Sequence, residues 1–247
     1  MNIAFYTAVS GMVAYQRDLD GIAHNMANVN TTGYKPSKST FEEILYTQTD
    51  TNAAEEHLVG HGVKTEKAAI SMKEGTLVVT DRQLDFAIIG SGFFAVDSGS
   101  KVKEYTRNGS FAIGQKGSKS FLVTEEGNYV LDKSKRKIEI KKDSETGLLD
   151  MTTVIEKIGV YTVENPEGFT MSDNGRFLES VNTGKIKGTN ITGKNLTYKL
   201  QSGALELSAA EISEEMIQMM QSQRAFQINA RVLQTADSVE EVINNLR

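Results

Sequence analysis

The residues of this chain that could do chemistry are few and do not converge on one site. His57 and His61 lie four residues apart, a spacing that could place two metal ligands on one face of a helix. Gly60 and Gly62 flank His61, however, and because glycine disfavours a helix there we expect a turning surface segment. His24 lies among asparagine and alanine residues of a helical pattern, where a packing role is expected.

Two further patterns resemble reactive sites but fail on structural grounds. Gly90-Ser91-Gly92 begins like a dinucleotide-binding fingerprint, yet Phe93 to Val96 follow as a strand where that fingerprint must open a helix. The acidic pairs are adjacent in sequence, so their side chains diverge and form no acid–base dyad; they are Glu42-Glu43, Glu125-Glu126 and Glu214-Glu215. We therefore predict no catalytic residue, no cofactor and no metal site, and expect that the protein is not an enzyme.

The composition indicates a folded protein and argues against several other classes. With 247 residues, 39% hydrophobic and 24% charged, the chain is typical of folded proteins. A formal net charge of −5 argues against nucleic-acid binding, and no run of about 18 apolar residues predicts membrane insertion. The chain has no cysteine, which removes disulfides and thiolate metal sites. Its first residues lack a basic segment before an apolar core, so we expect no cleaved signal peptide.

The N-terminal element is a long helical pattern with only three charged residues before position 35. Its apolar residues recur at alternating spacings of four and three, which predicts a heptad seam made of Phe5, Val9, Met12, Leu19 and Met26. Gly11 and Gly21 each weaken an isolated helix by about 1 kcal/mol relative to alanine, so packing against neighbours must offset that cost. The run from Asn28 to Gly33 and then Pro36 predict the end of the helix.

The C-terminal element is a second long helical pattern. Ser208 to Glu211 match a capping box, which predicts a helix of roughly 38 residues and about 57 Å. The predicted seam is Ile212, Met216, Met219, Phe226, Leu233, Val239, Ile243 and Leu246. Both terminal helices carry Ala, Ser, Asn, Gln and Thr where a solvated helix carries charges, which favours faces packed against other protein.

The middle of the chain is typical of an antiparallel β-domain. Strand patterns cover Phe86 to Ile89 and Phe93 to Val96, and a Lys-rich strand pattern with apolar Ile138 and Ile140 covers residues 133–142. Asn108-Gly109 and Asn174-Gly175 predict hairpins, and Glu126 to Asn128 a turn. A capping box at Thr40 to Glu43 predicts a short helix through about Tyr46.

The predicted fold class is α+β: N- and C-terminal helices forming a coiled-coil-like inner domain, with an inserted antiparallel β-domain. The predicted helical domain covers residues 1–34 and 208–247. Connecting, partly extended segments cover residues 35–75 and 186–207, and the β-rich outer domain covers residues 76–185.

Three groups of motifs carry a resemblance to a known family. Ser10 to Ala14, Leu19 to Ala23 and Asn25 to Lys35 resemble the N-terminal signature of bacterial flagellar rod and hook proteins, and Gln223 to Arg231 resemble their C-terminal signature. Leu84 to Ile88, Gly90 to Phe94 and Tyr105 to Phe111 are similar to the β-domain of the larger rod proteins. Within this family, the chain resembles the distal rod type more than the related proximal type, in its length and in the segments Val59 to Val63 and Gln223 to Phe226. The family motif residues are Asn25, Asn28, Asn30, Gly33, Gln223, Arg224 and Asn229.

The resemblance implies a structural subunit that assembles helically into the drive shaft carrying motor torque to the hook, and so serves motility. Its implied partners are copies of itself, other rod subunits, the hook protein, the surrounding ring and bushing proteins and the flagellar export apparatus. It would work in the basal body outside the cytoplasmic membrane, exported unfolded without signal cleavage, with the terminal seams as the assembly interface. A hook-like or other secreted axial or adhesion module with a coiled-coil stalk and a β-head is the alternative, and a hydrolytic enzyme is a distant third.

Overall fold

The structure is a computed structural model that describes residues 3–49, 57–66, 69–99, 103–117, 119–140, 151–172, 175–190 and 198–246. Within these residues there are three α-helices: α1 Ile3–Ala27, α2 Met151–Lys157 and α3 Ile212–Asn245. Two short 3₁₀ helices lie at Pro166–Gly168 and Val181–Thr183.

The described residues form twenty short strands. The first ten are β1 Ser37–Lys38, β2 Phe41–Glu43, β3 Tyr46–Thr49, β4 His57–Gly60, β5 Val63–Thr65, β6 Ala69–Ile70, β7 Leu77–Val79, β8 Phe86–Gly90, β9 Phe93–Asp97 and β10 Glu104–Thr106. The second ten are β11 Phe111–Lys116, β12 Lys119–Thr124, β13 Tyr129–Val130, β14 Glu139–Ile140, β15 Val160–Val163, β16 Thr170–Met171, β17 Phe177–Leu178, β18 Ile186–Thr189, β19 Tyr198–Ser202 and β20 Ala204–Glu206.

The chain divides into two compact units. The helical unit consists of Met1–Ala27, Ser37–Ala69 and Glu211–Arg247, and the β-unit of Asn28–Pro36 and Ile70–Ala210. The helical unit therefore contains α1 and α3 with the antiparallel pairs β2–β5 and β3–β4. The chain passes from one unit to the other four times, and the division into a helical inner domain at 1–34 and 208–247 stays a prediction.

The β-unit is built on one ten-stranded antiparallel sheet. Its main path runs β11-β12-β13-β9-β10-β17-β16, with β14 paired to β12 and with β15 paired to both β9 and β18. Two further antiparallel pairs, β8–β19 and β7–β20, complete the unit.

Strand β9 lies at the centre of the core of the β-unit. Successive strand residues point to opposite faces, and here both faces are covered, so the run Phe93 to Val96 is apolar without alternation. Phe94 packs into one core cluster with Phe111 and Leu122, while Phe93 packs into a second cluster with Tyr105. The large apolar side chains of this unit are thus buried within the unit itself.

The predicted α+β class is confirmed by the two terminal helices and the central antiparallel sheet. The strand predictions at residues 86–89 and 93–96 are confirmed by β8 and β9. Gly127, with φ +85°, turns the chain between β12 and β13, and Gly175, with φ +67°, lies between the paired strands β16 and β17. Asn174, Lys141 and Lys142 lie outside the described residues.

Three local predictions are wrong. Residues 41–43 form strand β2 because they pair with β5, so the capping-box pattern at Thr40 does not start a helix. Helix α3 begins at Ile212 with Glu211 as its N-cap and no side-chain cap bond, so the Ser208 capping box does not form. Ser208 Oγ instead accepts a hydrogen bond from Ala210 N at 3.2 Å.

The third wrong prediction is the hairpin at Asn108-Gly109. Strands β10 and β11 on either side pair with other strands, and Asn108 Oδ1 accepts a hydrogen bond from Ser110 N at 3.0 Å. A Cβ at Gly109 would lie 1.7 Å from Phe86 O. Glycine is needed there for close approach of two backbones, which sequence cannot distinguish from a hairpin turn.

Candidate assembly interface

Helices α1 and α3 pack against each other mainly through small and polar residues. Most of the side chains buried on the two helices are small, so the helix backbones can approach each other closely. The buried positions are Ala8, Gly11, Ala14, Ile22 and Asn25 on α1, and Glu215, Ser222 and Ala236 on α3. The intrachain contact thus leaves most large apolar side chains for other faces of the helices.

Gly11 marks a point of close approach between the two helices. A Cβ added there would lie 3.1 Å from the side-chain amide atoms of Asn229, tighter than an ordinary van der Waals contact. The Asn229 amide is held over α3 by donating to Ala225 O at 3.0 Å. The helix-weakening glycine noted in the sequence therefore has a packing reason.

Asn25 bonds three segments of the helical unit at the end of α1. Its Nδ2 donates to Ser37 O at 2.9 Å and to Glu215 Oε1 at 3.2 Å, and its Oδ1 accepts from Ser37 N at 3.1 Å. Asn25 is almost fully buried. Its amide therefore sets the register of α3 against α1, because only one longitudinal position brings Glu215 within reach.

The Glu215 carboxyl makes fewer hydrogen bonds than the Asn25 amide that it contacts. It is 3% exposed, and among the described residues its Oε2 has no hydrogen-bond partner. Burial raises the pKa of the Glu215 carboxyl above its usual value, opposed by the Asn25 hydrogen bond and the charge of Lys38 and reinforced by the charges of Glu214 and Asp18. The helical unit thus buries a carboxyl without a compensating cation in contact.

A groove lies beside this contact, within the helical unit. It has a volume of about 520 Å³ and mixes aromatic, amide and charged side chains. Tyr15 and Phe41 line it with ring centroids 5.2 Å apart, and Asp18 Oδ2 accepts from Ser222 Oγ at 2.5 Å. Among the described residues that line the groove, the titratable ones are Tyr15, Asp18 and Lys38.

The outer surface of the two helices is rich in exposed large apolar residues. Nine such residues lie along α3, each 40–60% exposed, and Leu246 follows at its C-cap with 83%. They are Ile212, Met216, Ile217, Met220, Ile228, Val232, Val239, Val242 and Ile243. On α1 the exposed members are Ile3, Tyr6 and Val13. A stripe of this length on a single helix is more apolar surface than isolated proteins usually expose.

The described residues show no candidate metal site. No group of three or more acidic or histidine side chains within them lies close enough together to hold a metal ion. His24 and His61 are exposed, and the backbone of His57 lies in strand β4. Within the same residues, no helix combines the length and hydropathy that crossing a bilayer requires.

Comparison with known proteins identifies the family of the chain that carries these exposed helices. Residues 5–35 match the family model of the flagella basal body rod protein, and residues 201–246 match that of the flagellar basal body rod FlgEFG protein C-terminal. Residues 87–176 match the flagellar hook protein FlgE/F/G D1 domain. The flagellar basal-body rod protein FlgG of Borreliella burgdorferi is 35% identical over 99% of this chain and 98% of its own length. This chain belongs to the flagellar basal-body rod protein family.

Other relatives agree with this assignment. FlgG of Bacillus subtilis is 30% identical over 99% of this chain and 98% of its own length. The flagellar hook-basal body complex protein FlhP of the same organism is 28% identical over 98% of both chains. The chain is accordingly a structural subunit of the flagellar basal-body rod, a part of the motility apparatus, and the stalked adhesion module is not favoured.

The predicted seam of this rod protein falls into two groups by exposure. Half-buried members are Phe5, Val9, Met12, Leu19, Met26, Met219, Phe226 and Leu233. Members at least half exposed are Ile212, Met216, Val239, Ile243 and Leu246. Of the family motif, Asn25 and Gly33 are buried, Asn28 and Asn229 half-buried, and Asn30, Gln223 and Arg224 exposed.

Several notable residues of the rod protein escaped the sequence reasoning. Ile217, Met220, Ile228, Val232 and Val242 extend the exposed stripe of α3 beyond the heptad seam, and a search for apolar residues outside one seam would have found them. Glu215, Lys35, Arg107 and Glu206 are buried charges. Glu206 gives no sequence signal, because the alternation of Ala204, Leu205 and Glu206 would place Leu205 inward, whereas the structure buries Ala204 and Glu206 and leaves Leu205 half-buried.

Proposed function

We propose that this rod protein assembles with copies of itself into a helical tube through the outer faces of α1 and α3. The observation that carries the proposal is the stripe of exposed large apolar residues along α3, a helix of 34 residues and about 51 Å. Full burial of an exposed large aliphatic side chain contributes about 1.5–3 kcal/mol, so residues that are about half exposed would each contribute roughly half of that when neighbouring copies cover the stripe.

The shape of the stripe supports an open rather than a closed assembly. Contacts between unlike faces of identical subunits generate rings or helical filaments, depending on whether the rotation closes. The exposed residues of α3 lie on more than one face of the helix, as shown by the adjacent pairs Met216-Ile217 and Val242-Ile243. One helix therefore offers apolar surface to more than one neighbour. A tube of close-packed helices resists deformation, which torque transmission requires.

The proposal extends to place and partners. The subunit would leave the cytoplasm through the flagellar export apparatus and assemble outside the cytoplasmic membrane. Its further partners would be other rod subunits, the hook protein and the surrounding ring and bushing proteins. The distal rather than the proximal part of the rod is proposed as its position. Support comes from the family assignment and from the similarity to the FlgG proteins over nearly the whole chain.

The experiment uses two neighbouring positions on α3 that face different directions. Ile228 is 60% exposed and its neighbour Gln227 is also exposed. Ile228→Asp should raise the concentration needed for self-assembly of purified protein at least tenfold, because assembly would bury an unpaired charge. Gln227→Asp adds the same charge one residue away, at a polar position outside the apolar stripe, and should raise this concentration less than Ile228→Asp does.

Electron microscopy and sedimentation of both variants provide the readout, with circular dichroism to verify that the free subunits are alike. Val239→Asp, at a position that the heptad pattern selected, serves as an independent repeat of the same test. Tubes formed by Ile228→Asp and Val239→Asp at the parent concentration would show that the stripe is not the interface.

A further inference from the structure

The β-unit contains one fully buried cluster of charged side chains. Lys35, Glu206 and Arg107 are each at most 5% exposed. Lys35 Nζ donates to Glu206 Oε1 at 2.6 Å, and Arg107 Nη1 donates to Glu206 Oε2 at 3.0 Å. Each oxygen of the Glu206 carboxylate therefore faces one cation, the pairing that offsets part of the cost of burying a charge.

The cluster joins parts of the β-unit that are far apart in sequence. Gly75 N donates to Glu206 Oε1 at 2.9 Å, and Lys35 Nζ also donates to Lys73 O. Backbone bonds reinforce the same junction: Gly33 N donates to Glu206 O at 2.8 Å. The Glu206 side chain and backbone thus bond both to the segment around Lys35 and to the segment around Gly75.

These segments are the parts of the β-unit from which the chain passes into the helical unit. Residues 28–36 lie between two such passages, residue 70 follows the third and residue 210 precedes the fourth. Two further bonds connect them, from Ser71 N to Pro36 O at 2.8 Å and from Ala209 N to Tyr34 O at 3.0 Å. All three segments that border the passages therefore meet at one buried junction.

Arg107 attaches this junction to the rest of the β-unit. Its guanidinium donates to Ile88 O at 3.1 Å and to Gly90 O at 2.7 Å, and it lies 5.4 Å from the centre of the Phe93 ring. Ile88 belongs to the buried core of this unit. Arg107 is therefore the member of the cluster that fixes it to strands β8 and β9.

We propose that the Glu206 carboxylate is a clamp that holds the three segments bordering the helical unit together and fixes them, through Arg107, to the core of the β-unit. The clamp makes the segments behave as one body, so that a displacement of one is passed to the other two. Burial lowers the pKa of the Lys35 ammonium, and the hydrogen bond and charge of Glu206 oppose that shift.

Glu206→Gln tests the clamp with almost no change in shape. The substitution removes one negative charge and leaves Lys35 and Arg107 buried without it. Amide hydrogen exchange on the full chain should become at least tenfold faster, and by a similar factor, at Gly33, Ser71, Gly75 and Ala209. Exchange at Leu122 and Leu131, which donate to Ile138 O and Ala95 O within the β-unit core, should change less than twofold.

The matched control is Glu139→Gln, the same substitution in an exposed ion pair. Glu139 Oε2 contacts Lys119 Nζ at 3.1 Å, and this variant should leave all the clamp amides unchanged. The clamp is refuted if Glu206→Gln leaves the four amides unchanged, accelerates only one segment, or accelerates the core amides equally. It is also refuted if Glu139→Gln reproduces the effect.

A second variant covers the case in which Glu206→Gln does not fold. Lys35→Met leaves Glu206 paired with Arg107 and so buries no uncompensated charge. Loss of the Lys35 bonds should accelerate exchange at Gly33 and Gly75 at least tenfold and leave Leu131 unchanged. Unchanged exchange at both glycines would overturn the proposal. These measurements use the free subunit, so their outcome is independent of whether the protein assembles into a tube.

Discussion

The helical unit and the β-unit bury opposite kinds of residue. The β-unit buries its largest side chains, with Tyr105, Tyr161, Phe94 and Phe177 fully inaccessible. In the helical unit, α1 and α3 bury mainly Ala, Gly, Ser and Asn and expose Ile, Val, Met and Leu. Apolar burial is the main favourable term in folding, so the β-unit carries its own stability. The proposed assembly with neighbouring copies would supply the apolar burial that the helical unit lacks.

The two units also differ in how fully a buried carboxylate is hydrogen-bonded. Glu206 in the β-unit meets two cations and a backbone amide within 3.0 Å. Glu215 in the helical unit meets one neutral amide at 3.2 Å, and among the described residues its second oxygen has no hydrogen-bond partner. Both oxygens of Glu206 thus have partners, and a buried carboxylate that is only partly satisfied leaves a cost that a satisfied one does not. The contrast holds for the two carboxylates and not for every polar atom, because Arg107 Nε and Tyr105 OH of the β-unit also lack a hydrogen-bond partner among the described residues.

The largest expected effect is a difference in the free energy of unfolding between alanine variants of two phenylalanines, one in each unit. Phe94→Ala removes a fully buried ring from the β-unit core and should lower the free energy of unfolding by about 3–5 kcal/mol. Phe226→Ala removes a half-buried ring from α3 and should cost the free subunit about 1 kcal/mol or less. Urea unfolding of both variants measures the difference. Equal losses would mean that the two units are stabilised alike.

Phe226→Ala should nevertheless weaken assembly. If neighbouring copies complete the burial of this ring, the variant needs a higher concentration to form tubes, measured by sedimentation beside the parent. Tube formation at the parent concentration would place Phe226 outside the interface.

A smaller effect should distinguish the two glycines of α1. Gly21→Ala removes a helix-weakening residue, and the new Cβ would lie 3.6 Å from Ser39 Oγ, an ordinary contact. It should increase the stability of the helical unit by up to about 1 kcal/mol. Gly11→Ala makes the same chemical change, but its Cβ would lie 3.1 Å from the Asn229 amide and should cancel most of that gain.

Helix content of the free subunit by circular dichroism, followed through thermal unfolding, compares the two variants. An equal gain in both would indicate that α1 and α3 do not approach closely at Gly11. Close packing against Asn229 would then no longer account for a glycine at this position.

The smallest expected effect is a dependence of the stability of the helical unit on pH, caused by the partly hydrogen-bonded carboxyl of Glu215. Because burial raises the pKa of its carboxyl above 4.5, the folded helical unit favours the protonated form. Its contribution to stability is therefore fully present below pH 4.5 and is lost as the pH rises through the higher folded pKa. Glu215→Gln should remove this dependence and make the helical unit more stable than the parent at pH 7.

A pH series of helix unfolding between pH 4 and 7 reports the difference between Glu215→Gln and the parent. Glu206→Gln is the contrasting variant, since removal of a compensated charge should destabilise the β-unit at pH 7. A difference for Glu215→Gln that does not vary with pH would show that Glu215 is not held in an unfavourable charged state.

Much of the fold follows from local patterns in the sequence. The apolar run at Phe93 to Val96 predicts a strand, and strand β9 lies there. The stop signals after Asn28 predict the end of α1 at Ala27. These predictions succeed because period, turn residues and helix-end residues act over a few positions.

The errors and omissions arise where distant residues decide. The capping-box pattern at Thr40 becomes a strand because Val63 to Thr65 pair with it. Lys35 and Glu206 are 171 positions apart, so nothing near either residue indicates that they form a buried pair. Glu215 looks like one of several solvated acidic pairs, and its burial depends on Asn25, 190 positions away.

The central claim is that the β-unit is stable alone whereas α1 and α3 depend on neighbouring copies. Amide hydrogen exchange on the free, full-length subunit tests it most directly. Amides of Ile3–Ala27 and Ile212–Asn245 should exchange at least a hundredfold faster than those of β9 and β12, and should become protected on assembly. Slow exchange throughout both helices in the free subunit, at the rate of the β-unit core, would contradict the claim.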